Sequence, residues 1–234
     1  MQPLQSELRV IEAAEALAIT LGENPNHTVA AAALDTQGRI HTAVNLYHFT
    51  GGPCAELVAL ATAAAVNAGP LVAMAAAGDR SRGLIPPCGR CRQVMLDLHP
   101  DILVAVPSEK GPQMRPIAKL LPDTYFFPDA DAERVLRFNK RYYEAVADGT
   151  KTSSVRWDEP ISTGPAIFYF EDDNRPSLRG KVLAVNNYWL DELTPERLRL
   201  HEGDTVDGYI RGLREHYPTM PDDARVDVVD FEVL

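Results

Sequence analysis

All three cysteines of this 234-residue chain, Cys54, Cys88 and Cys91, fall within one 38-residue stretch. An odd number of thiols so confined does not build a disulfide framework, so an apolar core or a metal must hold the fold. The core is affordable, since 45% of the residues are hydrophobic and the length suits one large or two small domains. No apolar run approaches the roughly 18 residues that a membrane helix needs. The opening MQPLQSELRV lacks the charged start and apolar centre of a signal peptide. Reduced thiols in the cytoplasm, with no membrane partner, are the expectation. A net charge of -10 weighs against tight, non-specific nucleic-acid binding, which rests on Lys and Arg neutralising phosphates.

The two halves read differently. Residues 1–130 carry 9 basic and 12 acidic residues and every cysteine, while 131–234 carry 14 and 21 and both tryptophans. Periodicity is lost at Phe127-Pro128-Asp129-Ala130-Asp131, which suggests a seam. In the first half, Leu8, Ile11, Ala14, Leu17 and Leu21 recur at helical spacing and stop at Gly22. Segments 28–34 and 40–46 flank Asp35-Thr36-Gln37-Gly38 as a hairpin. A helix over 56–68, a strand over 71–77, a helix over 89–98 and a strand over 102–106 follow, implying a sheet sandwiched by helices. The second half reads as a helix over 132–147, strands over 166–171 and 181–187, helices over 193–200 and 206–216, and a closing strand over 226–234. That pattern suits a small, barrel-like α+β domain.

The chemistry concentrates in Pro53-Cys54-Ala55-Glu56 and Pro87-Cys88-Gly89-Arg90-Cys91. A Cys-x-x-Cys at a helix start places two thiols on the first turn, where the helix N-terminus favours thiolate. Cys54 opens another predicted helix, so two helix ends can converge on one ion. Three thiolates and a water give four-coordinate zinc with one exchangeable position, the pattern of a catalytic site. Glu56, two residues beyond Cys54, is placed to handle the proton of that water. A Cys-x-x-Cys alone also suits a structural half-site or two buried thiols, with His48 and His99 as candidate fourth ligands.

The order Cys-x-Glu and then Pro-Cys-x-x-Cys matches the signature of zinc nucleobase deaminases. Residues 1–128 resemble the cytidine deaminase family, its blasticidin-S deaminases in particular, through the run from Val44 to Leu57 (VNLYHFTGGPCAEL), through Pro87 to Val94 (PCGRCRQV) and through Leu96-Asp97-Leu98-His99-Pro100. The resemblance implies a three-layer α/β/α fold, often assembled as a tetramer or dimer, and zinc held by Cys54, Cys88 and Cys91. It implies hydrolytic replacement of a cytosine nucleoside's amino group by oxygen, with Glu56 as acid and base. Asn45, Tyr47, Ala55 and Tyr125 fall at its substrate-binding positions, with Phe126 beside Tyr125. Tyr47 stands where ordinary relatives carry a glutamate to the ribose, which favours an unusual sugar. Three thiolates leave divalent zinc with a net charge of -1, so a cation should offset them. Many relatives carry an arginine after the catalytic glutamate, but this chain has Leu57 there, leaving Arg90 and Arg82 as candidates.

Residues 133–234 resemble the ASCH domains, small barrels related to PUA modules, through Gly149-Thr150-Lys151-Thr152-Ser153-Ser154-Val155-Arg156, supported by Arg137-Phe138-Asn139, residues 190–194, Tyr217-Pro218 and Asp230-Phe231-Glu232. This set is similar to short amidohydrolases acting on 4-N-acetylcytidine and implies catalytic roles for Lys151, Ser154 and Glu202. Read by composition, the Lys151 loop is a solvated turn. The alternative functions are therefore removal of an acyl group from 4-N-acylcytosine nucleosides, or an ASCH module that brings the deaminase to RNA. The basic strip Arg137, Lys140, Arg141, Lys151 and Arg156 keeps the RNA alternative open.

Overall fold

The computed structural model describes residues 1–127, 132–200 and 203–234, so the expected seam lies largely outside the described residues. The chain forms two compact units, Met1–Arg137 with Tyr169–Ser177, and Phe138–Phe168 with Leu178–Leu234.

The first unit is built on an alanine-rich sheet. Strands β1 (Val29–Asp35) and β2 (Ile40–Val44) pair antiparallel. The Asp35 carboxylate closes their turn by accepting the N–H groups of Gln37 and Arg39, each at 2.9 Å. Strand β3 (Leu71–Gly78) runs antiparallel to β1, while β5 (Leu103–Val106) lies parallel to β3. Short strands β4 (Gly83–Ile85) and β6 (Gln113–Pro116) complete a sheet of order β2-β1-β3-β5-β6, with β4 on β3.

Strand periodicity divides this sheet into two faces. Ala30, Ala32, Leu34, Ala73, Ala75 and Ala77 pack with α1 (Gln5–Thr20). Ala31, Ala33, Leu71, Met74 and Ala76 pack with α2 (Ala55–Ala65) and α3 (Gly89–Leu98). The result is the three-layer α/β/α arrangement expected. Both faces are covered, so the strands read as unbroken apolar runs, and small methyl groups let the helices approach. An Ala75→Leu substitution inserts three carbons at a fully buried position. It should cost about 1–3 kcal/mol, read as a lowered urea midpoint with the slope unchanged.

A second sheet, of order β7-β9-β10-β11-β8, curls into a half-barrel, and most of its residues belong to the second unit. Its strands are β7 (Arg134–Asn139), β8 (Ser153–Arg156), β9 (Gly164–Glu171), β10 (Leu178–Trp189) and β11 (Arg225–Val233). Phe138, Phe168 and Phe231 meet edge to face with centroids 5.2–5.5 Å apart. Val155, Val226 and Val228 line another core with Leu190, Leu213 and Met220. Leu213 comes from α7 (Val206–His216).

Two sequence expectations change here. Residues 132–147 are not one helix: β7 occupies 134–139, and only α5 (Tyr143–Ala147) is helical after a 3-10 turn. Val135, Phe138, Tyr142 and Val146 suit a helical stripe, but Val135, Leu136 and Phe138 are all buried within one strand, which no single stripe accounts for. The helix over 193–200 shrinks to one turn, α6 (Pro195–Leu198). Thr194 caps it, and Arg199 ends it in the left-handed region at φ 50°.

Candidate metal centre

Cys54 and Cys88 each occupy the position just before a helix, with extended backbone (φ -66°, ψ 157° and φ -69°, ψ 166°), and Cys91 lies on the first turn of α3. The carbonyls of Cys54 and Cys88 accept the first helical N–H bonds, from Val58 at 3.2 Å and Arg92 at 3.0 Å. Two helix N-termini thereby face one group of thiols. The Cys54 and Cys88 sulfurs are 3.8 Å apart, those of Cys88 and Cys91 3.5 Å, and all three lie within 4.8 Å of one another. Two sulfurs bound about 2.3 Å from a tetrahedral zinc stand roughly 3.8 Å apart, so this donor set fits the ion.

The thiols differ by environment. Burial pushes Cys91 well above the ordinary thiol range, with Glu56 and the other two thiols adding to the shift. Burial also raises Cys54. At Cys88 burial acts in the same direction, but the N–H groups of Cys91 and Arg90 and the neighbouring thiols together hold it below the usual value. Glu56, on the first turn of α2, is 4% exposed. Burial raises its carboxyl pKa, while its own backbone N–H and the Cys91 thiol act against that rise.

No fourth His, Cys, Asp or Glu joins the three sulfurs among the described residues. Half-buried His99 instead accepts the Leu71 N–H through Nδ1 at 3.2 Å, and desolvation lowers its pKa to about 4. His48 Nδ1 is 2.6 Å from Thr50 Oγ1, within the loop that precedes α2. That loop depends on Gly52, where an added Cβ would sit 1.7 Å from the Leu46 carbonyl oxygen.

The expected substrate residues occupy distinct settings. Asn45 Oδ1 accepts the N–H groups of Thr28 and Val29 at 2.7 and 2.8 Å, which orients its amide group and leaves Nδ2 without a hydrogen bond among the described residues. Ala55 is fully buried, and its backbone N–H, on the first turn of α2, has no partner within the helix. Tyr47 and Tyr125 are exposed. Arg82 is engaged by the Asp79 carboxylate at 2.7 Å and the Thr28 carbonyl at 2.5 Å. The Arg90 side chain is exposed, and its N–H is among those acting on Cys88.

Two neighbours of Cys91 escaped the sequence reading. Arg92 donates to the Pro87 carbonyl at 2.9 Å and to the Leu120 carbonyl at 2.8 Å, fixing the chain just before Cys88. Gln93 donates to the Tyr125 carbonyl at 2.9 Å and accepts the Thr124 hydroxyl at 2.7 Å, which ties the aromatic segment to α3. Their adjacency to Cys91 was the available signal.

A family model described as the cytidine and deoxycytidylate deaminase zinc-binding region matches residues 4–106. The cytidine deaminase of Mycobacterium tuberculosis (strain CDC 1551 / Oshkosh) is 34% identical over 108 residues, covering 45% of this chain and 78% of that protein. The chain belongs to the cytidine deaminase family. The blasticidin-S deaminase of Bacillus cereus is 28% identical over 130 residues, covering 52% of this chain and 93% of its own length. A solved ASCH domain from Lactobacillus crispatus JV V101 aligns with 43% of this chain and 79% of that one, at 11% identity and a TM-score of 0.36.

In this member of the family the positive ends of α2 and α3 both face the thiols. Each contributes roughly half a positive charge there, which offsets part of the thiolate excess without any side chain.

In the second unit, Lys151 Nζ stands 4.9 Å from the centre of the Tyr142 ring. Ser154 lies on β8 opposite Val229. No hydrogen bond joins Lys151 to Ser154 among the described residues, and Glu202 lies outside them. No helix among the described residues is long and apolar enough to cross a membrane.

Proposed function

We propose that the chain is a zinc-dependent hydrolase that converts a cytosine nucleoside to its uracil counterpart and releases ammonia. The observation that carries this reading is the gathering of three sulfurs at two helix ends with the buried Glu56 carboxyl against them. Cys54, Cys88 and Cys91 would hold the zinc, which when bound supplies the Lewis acidity that makes water nucleophilic near neutral pH. A Glu56 carboxylate oxygen takes the proton from the attacking water and returns it to ring nitrogen N3. The same oxygen then moves the proton of the new C4 hydroxyl to the leaving amine, so that water and cytosine give uracil and ammonia. Burial of Glu56 keeps bulk water from short-circuiting these transfers. The Ala55 N–H supports one end of the substrate and the Asn45 amide supports the sugar, with Tyr47 and Tyr125 flanking it.

A panel of cytidine, deoxycytidine, blasticidin S and 4-N-acetylcytidine, read by ultraviolet change and ammonia release, tests the assignment. Turnover of at least one of the first three is expected, and inertness of zinc-loaded protein toward all three overturns it. Asn45→Asp keeps the oxygen that holds Thr28 and Val29 but removes the N–H donor. It should raise KM roughly tenfold, with kcat changed less.

The exposed Tyr47, Phe49, Phe126 and Phe127 support assembly as a homodimer or homotetramer. Reduced thiols committed to a metal suit the cytoplasm. For the ASCH alternative, burial and the charges of Arg156 and Arg141 lower Lys151 to about 8, a value suited to a general base. Acetate release from 4-N-acetylcytidine that survives Glu56→Gln but disappears in Ser154→Ala supports that alternative.

A further inference from the structure

The second unit gathers cations that few acids meet. Arg141 lies in the 3-10 turn after β7, Lys151 lies just before β8, Arg156 ends β8, and His216 ends α7. Arg141 Nη2 is 3.0 Å from His216 Nε2. The Arg141 guanidinium and the Lys151 ammonium lie 4.8 and 4.9 Å from the centre of the same Tyr142 ring. Arg156, only 8% exposed, sits 5.2 Å from the Phe138 ring. Glu159 lies 3.5 Å from Arg156 and already accepts the Tyr217 hydroxyl, and Glu215 acts on His216. Neither Lys151 nor Arg141 makes an ion pair among the described residues.

Like charges brought together and partly desolvated raise the energy of the folded state unless an anion joins them. A dianion with several oxygens satisfies such a group through charge-assisted hydrogen bonds, and guanidinium forks match its geometry. We propose that Arg141 and Lys151 form a binding site for a phosphate monoester, either free phosphate or the phosphate of a mononucleotide. The site shares no residue with the thiol centre, and it gives Lys151 an anion to bind in place of the base's role in the ASCH alternative.

Calorimetry on the zinc-loaded full chain in a phosphate-free, low-salt buffer tests this, with inorganic phosphate, uridine 5′-monophosphate, uridine and a six-nucleotide oligouridine lacking terminal phosphates as probes. Phosphate and the monophosphate should bind saturably and uridine should not. A tighter monophosphate assigns the site to a nucleotide, and equal affinities assign it to free phosphate. Arg141→Gln and Lys151→Met should each weaken binding roughly tenfold or more, and Lys151→Arg should restore most of it. Arg141 is exposed, so its variant should unfold at the wild-type temperature without ligand. Absence of saturable binding up to roughly 10 mM in folded wild type overturns the proposal. Unchanged affinity in both variants also overturns it, as does oligouridine binding far more tightly through the same residues, which would make this an RNA site.

Discussion

Replacing Glu56 with glutamine should lower kcat for nucleoside deamination by about 10²- to 10⁴-fold while leaving near-stoichiometric zinc in place. The amide keeps the size of the side chain, which is 4% exposed on the first turn of α2. What it loses is a site that can take a proton and give it back. The sulfurs are untouched, so metal content should not move, and KM should change little because the residue's role lies in proton transfer. Zinc analysis beside steady-state kinetics separates the outcomes. Full activity in a zinc-loaded Glu56→Gln protein means that another group moves the proton.

The second large effect belongs to Cys91. Its side chain is fully buried among Met95, Ala59 and the rest of the α2–α3 face. Cys91→Ala removes one of three protein donors and leaves two sulfurs 3.8 Å apart at the exposed edge. Zinc content after dialysis should fall from near one per chain to near zero, and activity should fall in parallel. The fold should survive, because one small buried group is exchanged for another inside a large apolar face. An unfolding midpoint within a few degrees of wild type, measured on metal-free samples of both, checks that point. Zinc retained at wild-type level in Cys91→Ala would place the ion elsewhere.

Local signals carried much of this outcome. The helix starts at Cys54 and Cys88 were legible because a Pro-Cys pair precedes an apolar-periodic run in each case. The alanine strands were legible because both faces of their sheet are covered. Long-range geometry was not legible. Arg92 and Gln93 meet carbonyls 28 and 32 residues away, and Asn45 is oriented by N–H groups at residues 28 and 29, none of which a local window links. Strands β4 and β6 are too short to show a period. Strand β7 was misread because its apolar positions also fit a helical stripe, and only their burial together distinguishes the two. In the second unit Lys151 read equally as a solvated turn or a functional base, and its burial beside Arg141 and Arg156 is a tertiary property.

Deamination by this chain should depend on its metal. The wild-type chain should carry about one zinc and convert a cytosine nucleoside to its uracil form. A chelator that strips the ion should abolish that activity, and added zinc should restore it. Undiminished deamination by metal-free protein would mean that the three thiols hold no catalytic ion.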